Sequence, residues 1–331
     1  MNDPALARAE ATRPPSVIDT LSAGYSVVNR SPWVLLIPIL LDVFLWLGPQ
    51  ISLAPVVDRA IATMAVPTEW PVESGRTLEE LRRGVIETMD AFNVLALLSG
   101  PSMVSVPSVA IVTGGRGTLH WIEDSGTALS TILGSLVGGL LLGSLYRAWL
   151  ARQVLGDFAT PDRMIGEAVS AGGRAFVLML LMMGVAILFG MPLAIVLGSA
   201  AAVSRDLLSM GMFIVSIAVM AVVLYLAFAL DAVFISRVGP LQAVKNSVAV
   251  VRTSFWPTVL LLTLVLLILM GMGRVWELLA AVAPWGMYLG ILGNAYIATG
   301  LLAATMAFYR DRYIRLTGAA RAGTPSSAAT I

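Results

Sequence analysis

Residues 175–204 read AFVLMLLMMGVAILFGMPLAIVLGSAAAVS, thirty consecutive positions without a charged side chain. About 20 mostly apolar residues suffice to carry a helix across the hydrocarbon core of a bilayer, so this stretch predicts lipid rather than water as its surroundings. Arg205 and Asp206 close it, and a second uncharged block opens at Leu207. Two such blocks on either side of a two-residue charged break read as two membrane spans joined by a turn.

Working outward, the remaining composition agrees. Apolar residues make up 58% of the 331 and charged residues 12%, with mean hydropathy +0.86, whereas a soluble domain carries roughly 25% charged residues. Uncharged blocks cover residues 31–57 (interrupted by Asp42), 125–146, 175–204, 207–230 (extendable past Asp231 to 236), 253–273 and 278–309. They predict an all-α, polytopic transmembrane helical bundle of about six spans, placed near 32–53, 126–146, 175–200, 207–236, 254–273 and 284–309. The expected organisation is one membrane domain over 1–316 and a disordered tail over 317–331. The first apolar stretch begins near Pro32 and holds Asp42, which suits an uncleaved first span better than a cleaved signal peptide.

Charge placement sets the orientation. With six spans and the N-terminus inside, 14 of the 21 basic residues fall on the cytoplasmic side: Arg8, Arg13, Arg30, Arg147, Arg152, Arg163, Arg174, Arg237, Lys245, Arg252, Arg310, Arg312, Arg315 and Arg321. The other 7 fall outside, as the positive-inside rule requires. Residues 91–115 form a seventh long block, but Pro101, Pro107 and four serines favour a broken or re-entrant element over a span. A seven-span chain with its N-terminus outside satisfies the charge count about as well; the prolines and the repeat described next speak against it.

The loop over 58–124 holds nine acids and five bases. Its centre, 77–97, predicts an amphipathic helix, with Thr77 and Glu80 as a capping box and Leu78, Leu81, Val85, Met89 and Phe92 at helical spacing.

An internal repeat emerges at an offset of 223 residues. Val27-Val28-Asn29-Arg30-Ser31-Pro32-Trp33 aligns with Val250-Val251-Arg252-Thr253-Ser254-Phe255-Trp256. Upstream, Ile18, Leu21, Tyr25 and Val28 match Leu241, Val244, Val248 and Val251. Each copy predicts an interfacial elbow helix feeding a span, with Arg30 or Arg252 reaching headgroups and Trp33 or Trp256 in the aromatic belt. A degenerate third copy is expected around Ile165, Val169, Arg174 and Phe176. Shared interfacial constraints on two unrelated elbows are the competing explanation.

The residues Gly239-Pro240-Leu241-Gln242-Ala243-Val244-Lys245-Asn246-Ser247 leading into Ser254-Phe255-Trp256 resemble a group of uncharacterised bacterial six-span membrane proteins. That group includes the membrane domain attached to some glycerophosphodiester phosphodiesterases. The resemblance covers a minor part of the chain and implies a bacterial inner-membrane bundle only; no phosphodiesterase domain accompanies it.

Candidate functional residues are few. Zero Cys excludes disulfides and thiolate chemistry, and one His leaves no histidine cluster for a metal. Asp42 lies midway along the first span, where an ionised carboxylate costs about 3 kcal/mol or more. It reads either as a proton or cation relay or, preferably, as a carboxyl bonded within the bundle, with Asn294 a possible partner. Asp231, six residues before Arg237, reads as a wet boundary residue.

Gly134, Gly138, Gly139 and Gly143 form a helix-packing face, for intramolecular contact first and homodimerisation second. The methionines from Met179 and Met182 to Met220 read as packing. His120 beside Glu123 and Asp124 reads as an exposed loop imidazole before a metal or pH site. Ser99, Ser102, Ser105 and Ser108 lack a neighbouring base, so no serine hydrolase is supported.

These observations predict no catalytic, cofactor or metal site and no nucleic-acid partner. They point to a non-enzymatic scaffold or accessory of envelope or transport machinery in the cytoplasmic membrane, in contact with lipids and with a membrane-protein partner or a second copy. A transporter or channel using Asp42 and residues 91–115, and a lipid-modifying enzyme near His120, are the alternatives.

Overall fold

A computed structural model describes residues 15–63, 72–99, 115–157, 161–282 and 285–322. The chain is all-α in architecture. Helix α1 spans Val17–Arg30, α2 Leu36–Leu47, α3 Ala54–Thr63, α4 Val72–Ala91, α5 Ser125–Leu155 and α6 Pro161–Val203. Then come α7 over Arg205–Leu226, α8 over Ala229–Ile235, α9 over Pro240–Thr253, α10 over Phe255–Val282 and α11 over Gly286–Ala322. Among the described residues, five helices are long and apolar enough to cross a membrane, or six when α1 and the segment Pro32–Leu47 are taken together across their 92° bend.

That sixth candidate departs from the expected first span. α2 has 12 residues, about 18 Å at 1.5 Å per residue, well short of the roughly 30 Å hydrocarbon core. Its last i→i−4 bond runs from the Gly48 N–H to the Phe44 carbonyl at 2.7 Å; Gly48 then takes extended backbone, and Pro49 follows, which has no N–H to continue the ladder. Strand β1, Gln50–Ser52, comes next and pairs in parallel with β2, Leu119–Trp121, with Ile51 opposite His120.

The described residues cluster into two compact units. The first takes the described residues within 1–31, 148–268 and 300–331, and the second those within 32–147 and 269–299. α5, α10 and α11 contribute residues to both.

In the second unit, α3 and α4 are joined by the Arg82–Asp58 ion pair at 2.7 Å, and the guanidinium is held above its ordinary pKa chiefly by that hydrogen bond. α4 starts at Val72, so Thr77 lies inside the helix and the expected capping box is not its N-terminus. The helix ends at Ala91 rather than 97. Asn93 Oδ1 there accepts from the Ile51 and Leu95 amides, both at 3.1 Å, ties the exit to β1, and starts a 3-10 turn over Val94–Ser99. Pro101, Pro107, Ser102, Ser105 and Ser108 lie outside the described residues. Trp46 is buried, with Tyr288 edge-on at 5.1 Å and the Arg116 guanidinium over its ring at 5.4 Å.

In the first unit, α1 begins with a capping box: Ser16 Oγ accepts from the Asp19 amide at 3.1 Å, and Asp19 Oδ2 accepts from the Ser16 amide at 3.0 Å. The Ser16 hydroxyl, which also donates to Asp19 Oδ2 at 2.7 Å, and then the Ser16 amide hold the Asp19 carboxyl below the usual range. α6 and α7 are separated by Ser204 alone, whose hydroxyl accepts from the Leu207 amide at 3.1 Å. α6 runs 43 residues without interruption, about 64 Å, so the expected third elbow does not separate from its span. Ile165 and Val169 are exposed on it. α11 continues to Ala322, into the region read as tail, and residues 323–331 lie outside the described set.

Burial separates the long helices. The most apolar stretch of α11 is 72% buried, whereas that of α6 is 0% buried and those of α7 (with α8) and α10 are 11%. α6 and α7 pack on each other and present Ile187, Phe189, Ile195, Phe213, Ile217 and Met220 outward, each more than half exposed. Such a surface far exceeds the apolar patches that soluble monomers leave in water.

Candidate functional site

The polar groups of the first unit gather where α5, α6, α8 and α9 meet. α7 breaks at Ala227–Phe228, because α8 starts anew at Ala229, and a broken helix frees backbone groups that need partners. Elbow α9 supplies them: Ser247 Oγ accepts from the Phe228 amide at 3.2 Å and donates to the Tyr225 carbonyl at 2.8 Å. One hydroxyl satisfies both edges of the break.

Behind it, the Tyr309 hydroxyl of α11 is 2.7 Å from Ser236 Oγ, and Asn246 donates to it at 3.5 Å. Gln242 donates to Asn246 at 2.8 Å. Phe228 stacks on Phe308 at 5.4 Å, and Tyr309 on Tyr313 at 5.5 Å.

A cavity of about 140 Å³ opens beside these groups. Its charged lining is Arg152, Glu167, Arg174 and Arg237. Glu167 accepts from the buried Arg152 at 2.8 Å and pairs with Arg237 at 3.1 Å. Arg237 also reaches Asp157 at 3.2 Å, and Arg174 donates to the Arg237 carbonyl. Arg237 takes φ 53, a left-handed conformation rare outside Gly and Asn; the contacts on its carbonyl and guanidinium hold it there.

The Glu167 carboxylate is thus shared by two guanidiniums. The arrangement therefore joins three segments electrostatically. Sequence reading placed Arg152, Arg174 and Arg237 together at one membrane face but passed over Glu167; an acid inside an otherwise basic boundary set was the available signal.

The predicted residues distribute as follows. Asp42 and Asn294 are both buried in the second unit, at 4% and 5% exposure, and each interacts with neighbours, so neither is a bare polar group. Asp231 corrects its reading as a wet residue. It is 3% exposed, because α8 packs inside the unit between residues that are themselves buried, and it too is partnered.

Of the glycine face, Gly138 and Gly139 meet the 3-10 turn: a Cβ on Gly139 would stand 2.6 Å from the Leu97 carbonyl oxygen. Gly143 is buried, and Gly134 faces open space. Arg30 and Arg252 are exposed, as are Trp33 at 68% and Trp256 at 76%.

The elbow faces shift from expectation by about one residue. Ile18 and Leu241 are exposed, and the buried rows are Val17, Thr20, Gly24, Val28 and Ala243, Ser247, Val250, Val251. Small side chains at Gly24, Ala243 and Ser247 allow close approach, and that selects the buried face over a strictly apolar stripe.

His120 is exposed on β2, 2.9 Å from Thr118 Oγ1. Asp124 instead starts α5, accepting from the Thr127 amide at 2.7 Å. No group of three potential metal ligands occurs among the described residues. No protein-family description, curated protein or solved structure matches the chain.

Proposed function

We propose that the chain is an integral protein of the cytoplasmic membrane. It crosses about six times with both termini on the cytoplasmic side, and serves as a non-enzymatic scaffold or accessory of envelope or transport machinery. The observation that carries this reading is the α6–α7 pair, two long apolar helices with 0% and 11% of their most apolar stretches covered. Lipid, a membrane partner or a second copy satisfies such a surface, and water does not.

The non-catalytic part rests on how the polar groups are used. Glu167 is committed to two arginines, Ser247 to a helix break, and Tyr309 to Ser236 and Asn246. Each holds elements together. The repeat is supported by matched burial at the 223-residue offset: Ile18 with Leu241 exposed, Thr20 with Ala243 and Gly24 with Ser247 buried, Val28 with Val251 buried, Trp33 with Trp256 exposed. Both elbows also end on a serine whose N–H donates back into the helix. The likeness to bacterial six-span proteins is in keeping with this reading.

The test is purification of the full-length chain from membranes in mild detergent at native expression. A stoichiometric membrane-protein partner or a homo-oligomer is expected, and a monodisperse, partner-free monomer would overturn the scaffold reading.

A transporter is the second reading, favoured by α2. That helix stops about halfway across a hydrocarbon core and carries the buried Asp42, and transporter sites often sit at discontinuous helices. Unchanged flux in Asp42→Asn, for any transported solute found, would remove it.

A further inference from the structure

A groove of about 570 Å³ in the first unit is walled by the end of elbow α9, the start of α10 and the last turns of α11. Three of its lining residues are Arg252, Arg312 and Arg315, and none is acidic. Arg312 is 7% exposed, lies over the Phe308 ring at 4.7 Å and donates through Nη2 to the Pro15 carbonyl at 3.2 Å. Its Nη1 is buried without a hydrogen-bond partner, and no carboxylate pairs with it among the described residues. The neighbouring Asp311 carboxylate is held by Arg310 at 2.7 Å, and a buried guanidinium with no carboxylate bonded to it is costly unless an anion completes it.

The floor of the same groove is the first turn of α10, Phe255-Trp256-Pro257. A helix N-terminus presents free amides and the positive end of the dipole. Beside it Trp256 is 76% exposed, edge-on to Phe255 at 5.4 Å, the kind of aromatic that settles at the headgroup level of a bilayer.

We infer that this groove binds the phosphate of an anionic membrane phospholipid, with Arg252, Arg312 and Arg315 around the phosphate and Trp256 against the glycerol region. The inference rests on the membrane reading above and adds a ligand class and a place to it. The first elbow supplies a built-in comparison: Arg30 and Trp33 share the exposure of Arg252 and Trp256 but do not line this groove.

The experiment is lipid titration of the detergent-purified full-length protein, read by native mass spectrometry and thermal midpoint. The probes are phosphatidylglycerol, phosphatidylcholine and inorganic phosphate. Basic residues near an anionic surface contribute about fivefold each, so phosphatidylglycerol should bind at least about tenfold tighter than phosphatidylcholine. The double variant Arg252→Gln/Arg315→Gln, which leaves the buried Arg312 in place, should lose that preference and keep its midpoint in phosphatidylcholine. Arg30→Gln should keep both.

Equal affinity for the two lipids, or an unchanged preference in the double variant, would overturn the site. Displacement of phosphatidylglycerol by millimolar inorganic phosphate would overturn the lipid assignment in favour of a soluble phosphate compound. Recovery of the chain as a soluble protein without detergent would instead defeat the membrane reading itself.

Discussion

Gly24 of the first elbow lies against Gly300 of α11 so closely that a Cβ at position 24 would stand 2.4 Å from the Gly300 carbonyl oxygen. The interlock is mutual, since a Cβ on Gly300 would sit 2.4 Å from the Tyr25 ring. The obstacle at Gly24 is backbone, which cannot swing aside. Gly24→Ala should therefore lower stability by about 1–3 kcal/mol, seen as a lower thermal midpoint in detergent. Gly166→Ala, where a Cβ meets nothing within 4 Å, should not lower it.

Ser247 should matter far more than its size suggests. Ser247→Ala leaves the Phe228 N–H and the Tyr225 carbonyl without their side-chain partner inside a fully buried site. A loss of about 1–3 kcal/mol is expected, with the amides around 225–229 losing hydrogen-exchange protection before those of α5. Equal protection in the variant and the parent would contradict the bridging role.

Much of this architecture is written plainly in the chain, and the reasons for the exceptions are physical. Long uncharged runs such as 175–204 read correctly because a helix satisfies its own backbone whatever surrounds it. The break at Gly48-Pro49 was hidden by composition: residues 31–57 are apolar enough to span, yet the chain leaves the helix to pair with Leu119–Trp121, a contact no local window holds. Asp231 looked wet because Arg237 is near in sequence, whereas α8 turns it inward. Thr77 and Glu80 carry a capping pattern that loses to a helix already begun at Val72. The glycine face of α5 was legible as a packing surface but not its partner, since a 3-10 turn leaves no periodic trace. Within the candidate site, Arg152 and Arg237 were visible as charges. Their meeting on Glu167 was not, because it joins residues up to 85 positions apart.

The Glu167 bridge gives a third prediction. Glu167→Gln removes the charge that faces the buried Arg152 and the half-exposed Arg237. A loss of about 1–3 kcal/mol is expected, as for a hydrogen-bonded charge, with weak dependence on salt because Arg152 is 5% exposed. A variant indistinguishable from the parent in thermal unfolding would reduce the pair to a surface contact.

Asp124 sets a pH window. Its carboxyl is held below the ordinary 3.8 chiefly by the Thr127 amide, then by the Thr127 hydroxyl. A depressed folded-state pKa contributes stability that is full above the unfolded value and is lost as pH falls through the lower, folded one. The start of α5 should therefore loosen as the pH drops below about 4. Asp124→Asn, which does not titrate, should lack that component in midpoints measured from pH 6 to pH 3.

With no cysteine in the chain, single-cysteine labelling is clean. Thr118→Cys, exposed beside β2, should react with an impermeant maleimide from outside intact cells, and Lys245→Cys, exposed on α9, only after permeabilisation. The reverse pattern would invert the proposed orientation.

The parallel pairing of Gln50–Ser52 with Leu119–Trp121 also imposes an order in time. A ribosome delivers each residue of the first strand 69 residues before its partner, an interval of several seconds at about 5–20 residues per second. Throughout that interval the edge of β1 has no mate, and the strand that follows α2 stays unpaired until translation reaches Trp121. The pairing within this half of the molecule is thereby completed only after the second strand has been made, and its vulnerability to proteolysis or mispairing is greatest in nascent chains that stop short of that residue.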